Sequence, residues 1–314
     1  MGSLPPARYE NAYLIYNPQA GRFTRGRAQL LQRIIQCLAK RGHHVTPVGT
    51  TGPGVAASVA RDAIAGGADL ILAAGGDGTL NEVLNGAAHS DVPVGIIPAG
   101  TANVLGAELR IAGGPVGAAG DLHNWVPRRI ALGLLRNEAN PQGRYFALMA
   151  GAGLDAKIVY EIDAGIKARF GKGAYWLAGF GQLGRRFPEF QARTDGHIFQ
   201  CSFALASRVR NYGGDIEIAR GASLFADVFE TVLFEGAQSW VYLRYFLGVL
   251  TASLDKVKGV TMLQTRELEF ECASDPRIYI QVDGEYAGNL PAHIEVVPHA
   301  VTLLVPERFA RRHG

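Results

Sequence analysis

The sequence predicts two domains: an α/β domain with a mostly parallel sheet over residues 10–130, and a β-rich, antiparallel, sandwich-like domain over 131–314. The last residues of the second are expected to return to the first. Strand and helix signals alternate through the first third, and after Pro115 the texture changes to many β segments without long helices between them. At 314 residues the chain is long enough for two full cores.

Residues 12–16 read as a buried strand, and 29–39 as a helix because Leu30, Leu31, Ile34, Ile35 and Leu38 recur at helical spacing. A second strand follows at 44–48, a small-residue helix at 55–65, a third strand at 70–74 and a fourth at 94–97. Pro98-Ala99-Gly100-Thr101 punctuates the chain before the next helix. Repeated βα units imply a parallel sheet covered on both faces, with ligands at the carboxyl ends of its strands. Helical signals persist to Trp125. Segments 129–135, 144–149, 198–206, 227–234, 267–271, 277–282, 294–297 and 301–305 then read as β, interrupted by helical stretches near 174–183 and 240–254. The join falls near 126–136.

Lys+Arg 31 against Asp+Glu 28 gives a formal charge of +3, too balanced for a dedicated nucleic-acid binder. The clusters Arg22, Arg25, Arg27 and Arg185-Arg186 read as solvated positions or as contacts for an anionic surface. Cys37, Cys201 and Cys272 are far apart and fit no Cys-x-x-Cys or zinc pattern, which predicts reduced thiols in a cytoplasmic protein. Met1-Gly2-Ser3-Leu4-Pro5-Pro6 lacks the plan of a signal peptide. No apolar run approaches the roughly 20 residues of a spanning helix, so any membrane contact is expected to be peripheral.

Two motifs are decoys. Gly151-Ala152-Gly153-Leu154-Asp155-Ala156 matches a dinucleotide fingerprint but lies in the β-rich half. The segment 165–172 imitates a P-loop with the wrong spacing, and Gly173 stands where Ser or Thr should hold magnesium. His-Glu-x-x-His and Gly-x-Ser-x-Gly are both missing from the sequence.

The informative motif is Gly75-Gly76-Asp77-Gly78-Thr79-Leu80-Asn81-Glu82, between the third strand and a helical pattern. Glycines let main-chain N–H groups approach a ligand, and the helix start adds partial positive charge, so the turn suits phosphate. A carboxylate beside phosphates needs a cation between them, or a proton to accept from an attacking hydroxyl. Both readings of Asp77 point to phosphoryl transfer. Asn17-Pro18-Gln19-Ala20-Gly21 and Pro98-Ala99-Gly100-Thr101-Ala102-Asn103 follow the first and fourth strands, on the same predicted edge. Singly, each is an ordinary turn. Asp283-Gly284-Glu285 is a second acidic site, or simply a hairpin turn.

Together these residues resemble the diacylglycerol kinase catalytic-domain superfamily, in particular bacterial soluble lipid kinases, with sphingosine and ceramide kinases as relatives. The likeness runs from Tyr16-Asn17-Pro18-x-x-Gly21 through Gly-Gly-Asp-Gly-Thr and Pro98-x-Gly-Thr-Ala-Asn-Val-Leu to Gly151-x-Gly-x-Asp-Ala156, Asn211-Tyr212-Gly213-Gly214 and Asp283-Gly-Glu285. The resemblance implies an NAD kinase- and phosphofructokinase-like first domain. It implies that Gly75, Gly76, Asp77, Gly78, Thr79, Leu80, Asn81 and Glu82, with Asn17, Thr50 and Thr101, line bound ATP. Glu285 is similar to the family's proton acceptor, and Asp77 to the acid serving that role in sphingosine kinases. A structural Mg2+ would map onto Asp227 with main-chain oxygens of Leu224 and Phe229, and a separate Mg2+ would accompany ATP. Two positions depart from the pattern: Asp227-Val228 where relatives show Asp-Gly, and Ala131 where many carry an acid.

The resemblance implies a lipid alcohol as partner, with diacylglycerol converted to phosphatidate as the default. The segments 171–180 and 240–250 are candidates for an apolar lipid entrance, or plain core helices. An NAD kinase-like phosphotransferase and a silent nucleotide- or lipid-binding regulator are the competing readings, and a homodimer is left open.

Overall fold

The structure, a computed structural model, describes residues 8–24, 26–154, 156, 186–212, 216–272 and 278–313. Outside the described residues lie Met1 to Pro6, Arg25, Asp155, Arg185, Gly213-Gly214, Arg277 and the segments 165–172, 171–180 and 174–183. The chain divides into two compact units, residues 1–130 with 299–314, and residues 131–298.

In the first unit the elements are β1 (Ala12–Tyr16), α1 (Arg27–Ala39), β2 (Val45–Gly49), α2 (Val55–Ala65), β3 (Leu70–Gly75), α3 (Asp77–Ala87), β4 (Val94–Pro98), α4 (Val104–Glu108) and α5 (Gly114–Asp121). The runs LILAAG and VGIIP make β3 and β4, and every residue of both is buried, as strands covered on two faces must be. The strands lie in the order β2-β1-β3-β4 and all pair in parallel. Helix α1 contributes Ile34 and Leu38, one turn apart, to a core with Leu14, Leu72, Ile97 and Leu304. Each such side chain contributes roughly 1.5–3 kcal/mol by leaving water. Leu303 continues the sheet beyond β4 in parallel register with Val94. Arg129 fastens this edge through the Ser90 carbonyl and Thr302 Oγ1.

The second unit is built of antiparallel strands: the end of β5 (Trp125–Asn137), β6 (Asn140–Phe146), β7 (Met149–Gly153), β8 (Phe190–Thr194), β9 (His197–Cys201), β10 (Phe203–Ser207), β11 (Asn211–Tyr212), β12 (Ile216–Glu217), β13 (Phe229–Phe234), β14 (Val260–Thr265), β15 (Glu267–Glu271), β16 (Tyr279–Val282), β17 (Glu285–Asn289) and the start of β18 (Ala292–Pro306). One sheet has the order β14-β13-β10-β7-β16-β17. Another set of pairs joins β18, β15, β8 and β9. In β8 the buried residues Phe190, Ala192 and Thr194 alternate with exposed Gln191 and Arg193, the period-two pattern of a half-covered strand. Phe146, Phe190, Phe229 and Phe270 anchor the core, with Phe146 stacked on Phe229 and Phe190 edge-on to Phe270.

The fold is therefore an α/β unit with a parallel sheet and an antiparallel β-sandwich-like unit. Four expected segments divide differently. The segment 144–149 is two strands, because the N–H groups of Ala147, Leu148 and Met149 turn to the Asp283 carboxylate. The segment 198–206 is also two strands, broken at Ser202, whose hydroxyl donates to the Gly236 carbonyl. Conversely, 294–297 and 301–305 form the single strand β18, which runs through the exposed Pro298-His299 pair. Gly151 and Gly153 lie in β7 and pair with Leu205 and Phe203, so this glycine pair belongs to a sheet.

Candidate functional site

The carboxyl edge of the first sheet is knitted from the turns after β1, β2, β3 and β4. Asn17 N–H donates to the Ala74 carbonyl, Thr50 N–H to that of Tyr16, and Arg22 N–H to that of Ala99. Ala99 and Gly100 both donate to the Gly75 carbonyl, at 2.9 and 3.0 Å. A Cβ on Gly100 would stand 2.4 Å from Gly76 Cα, and one on Gly75 would stand 2.5 Å from Thr79 Oγ1. Only glycine lets these two turns touch. Asn103, in the left-handed region at φ 47, locks the fourth turn by bonding both the N–H and the carbonyl of Gly100.

Helix α3 opens at Asp77 after the extended Gly76, an N-cap residue with no side chain of its own to cap it. Its first-turn N–H groups have no helical acceptors and carry partial positive charge. Gly76, Asp77 and Gly78 are partly exposed at this start, whereas Thr79, Leu80 and Asn81 are buried. The Leu80 N–H is engaged by the Gly76 carbonyl, and the Asn81 side chain meets Asn85. Glu82 caps the neighbouring helix: its two oxygens accept from Gly54 and Ala56 N–H, at 2.8 and 2.9 Å, and so fix the start of α2 after Thr50. Asn17 Oδ1 closes a local turn on Gln19 N–H, while Thr101 is exposed beside Gly21. The structure thus gathers Asn17, Thr50, Gly76, Asp77 and Thr101 on one sheet edge, while Leu80, Asn81 and Glu82 face inward or toward α2.

In the second unit, Asp283-Gly284 is the two-residue turn of the β16–β17 hairpin, with φ 50 and 80. Asp283 is buried and accepts from Ala147, Leu148 and Met149 N–H at 2.9–3.0 Å. It holds the turn from which Glu285 projects. Glu285 is exposed, and Arg144 Nη2 is paired with its Oε2. Neither Arg144 nor the anchoring of Asp283 is visible in local sequence, since each partner is more than 130 positions away.

The segment 224–229, expected to present a structural Mg2+ site, is gathered around Arg208, which the sequence alone did not single out. Arg208, following β10, is fully buried. Its Nη1 donates to the carbonyls of Ala226 (2.7 Å) and Val228 (3.1 Å), and its Nη2 to that of Leu224 (2.8 Å). Burial pushes the guanidinium down to about 10, opposed by the nearby Asp227 carboxylate, so it is charged at neutral pH. Phe229 begins β13, in register with Thr265. These residues do not fit a divalent ion. The Leu224 oxygen already faces a cation, and a dication about 4 Å from a guanidinium is repelled by roughly 8 kcal/mol at an effective dielectric of about 20. Among the described residues, no group of three or more His, Cys, Asp or Glu is placed to hold a metal ion.

Known proteins match along nearly the whole chain. The family model "Diacylglycerol kinase catalytic domain" matches residues 11–135, and "YegS C-terminal NAD kinase beta sandwich-like domain" matches residues 149–305. A diacylglycerol kinase of Bacillus subtilis is 30% identical, covering 96% of this chain and 99% of that protein. One of Staphylococcus epidermidis is 27% identical, covering 95% and 93%. A crystal structure of a diacylglycerol kinase from Bacillus anthracis shares the fold with a TM-score of 0.73 at 21% identity, over 95% of this chain and 97% of that one. A further Bacillus anthracis structure superposes with a TM-score of 0.80 at 20% identity, over 95% and 96%.

Proposed function

The chain belongs to the diacylglycerol kinase family, and on that premise we propose that it is an ATP-dependent lipid kinase whose acceptor is diacylglycerol and whose product is phosphatidate. The observation that carries this reading is the contact of Gly76 with Gly100. It draws two glycine turns together at the start of α3, and a triphosphate can lie there against main-chain N–H groups.

In the proposed reaction, the N–H groups at Gly76, Gly78 and Thr79 bind the ATP phosphates, with the Asn17, Thr50 and Thr101 side chains around them. Leu80, Asn81 and Glu82 act from behind, through the packing of α3 and the cap on α2. Mg2+ enters as the metal of the Mg-ATP substrate, neutralising phosphate charge, and Asp77 serves that side. Glu285 accepts the proton of the lipid hydroxyl as its oxygen attacks the γ-phosphorus, and ADP leaves with the broken bond's electron pair. Arg144 holds the Glu285 carboxylate in position through Oε2. No step is assigned to a metal at Leu224, Asp227 and Phe229.

A lipid substrate also calls for contact with a membrane surface. No described helix is long and apolar enough to cross one. The helix Ser239–Leu250 exposes Trp240, Leu243, Leu247 and Leu250, spaced along one face. Support for peripheral binding comes from that stripe. The test is incubation of purified protein with Mg2+, γ-labelled ATP, a panel of lipid alcohols and NAD. Label is expected in phosphatidate; label in another lipid would correct the acceptor, and label in NADP, or none at all, would overturn the reading.

A further inference from the structure

The place that the family resemblance assigns to a structural metal already contains a charged group of the chain itself. Leu224, Ala226 and Val228 turn their carbonyls to one buried guanidinium, and a main-chain N–H donor would not balance Asp227 beside them as a cation does. We infer that Arg208 is the resident cation of this loop, standing where a divalent ion would otherwise sit, so that the second unit keeps its shape without bound metal. The planar fork suits the task. Its donors point in fixed directions, and two nitrogens reach three oxygens on alternate residues. The residue at 228 is a valine whose carbonyl is one of the three, so the departure from Asp-Gly and the internal cation meet at one position.

The same arginine reaches the proposed catalytic turn. Arg208 N–H donates to the Leu148 carbonyl, and the Leu148 N–H donates to Asp283, next but one to Glu285. The loop 224–228 is thus tied through Arg208 to the segment that holds the β16–β17 turn. This is independent of which lipid is phosphorylated, and it confines any Mg2+ requirement to the nucleotide.

The experiment uses the full chain, stripped with a chelator and free of nucleotide. Thermal melting with and without Mg2+ or Mn2+ at constant ionic strength should agree within about 1 °C, and Mn2+ titrated by electron paramagnetic resonance should show no stoichiometric site. A saturable rise in Tm, or one tight Mn2+ ion, lost in Asp227→Asn, overturns the inference. Arg208→Met should melt about 6–15 °C lower, because three carbonyls and a carboxylate lose their partner. An Arg208→Met protein that melts like the parent also overturns it. If that variant does not fold, the metal titration of the parent chain still decides.

Discussion

At the sheet edge of the first unit, Gly100 lies against Gly76, and the N–H groups of Ala99 and Gly100 share one carbonyl. In the second unit the Asp283 carboxylate collects three main-chain N–H groups, and the Arg208 guanidinium collects three main-chain carbonyls. The first arrangement is mainly backbone against backbone and depends on the absence of side chains. The second is built on two buried charges of opposite sign. Such turns respond to opposite insults. A glycine contact fails when an atom is added, and a buried charge fails when its partner is removed.

The largest effect should come from the acids proposed to act on the reacting groups. Glu285→Gln is expected to lower kcat by about 10²–10⁴-fold with ATP affinity unchanged, and Asp77→Asn by at least ~100-fold. Rapid-quench turnover beside nucleotide titration checks both, and near-normal lipid phosphorylation by the Glu285 variant would remove it from its role. Asp283→Ala comes next, since it leaves three buried N–H groups unpartnered. We expect a loss of about 3–5 kcal/mol in denaturant unfolding, accompanied by lost turnover. Gly100→Ala should cost about 1–3 kcal/mol by overpacking and should weaken ATP binding while leaving the second unit's proteolytic pattern intact. If Gly100→Ala binds ATP normally, the backbone contact does not shape the cradle.

The smallest effect concerns a buried ring of the first unit. Burial pushes the His43 imidazole below its usual value near 6.5, with Asp69 opposing and His123 adding to the shift. A depressed imidazole takes up its proton more readily in the unfolded chain. Its contribution to stability is therefore present above the unfolded value and lost as pH falls through the folded one. Tm should fall as pH drops below about 6.5, and less steeply in His43→Gln. Equal slopes in the two proteins would assign the acid sensitivity elsewhere.

The same contrast explains how far the sequence could be read. The parallel sheet was legible because its strands are continuous apolar runs and its turns carry their glycines, prolines and asparagines locally. Glu82 was not legible as a cap, since its donors, Gly54 and Ala56, lie on another helix. In the second unit, 144–149 looks like one strand until Asp283 arrives from 134 to 136 positions away to take its N–H groups. Arg208 lies just past the segment 198–206 that reads as β, and nothing in the run Ser207-Arg208-Val209 announces three carbonyl partners. Pairings set by charge across the fold leave no periodicity behind.

Thr302 is bonded by Arg129, 173 positions earlier, and Leu303 is the parallel neighbour of Val94. During translation, β1 to β4 and their turns are therefore made long before residues 299–306. For that interval β4 is an unpaired sheet edge, open to pairing with any extended segment. At about 5–20 residues per second the wait is roughly 10–40 s, ample for a chaperone to occupy the edge or for two nascent chains to join there. The first unit is begun before the second and completed after it.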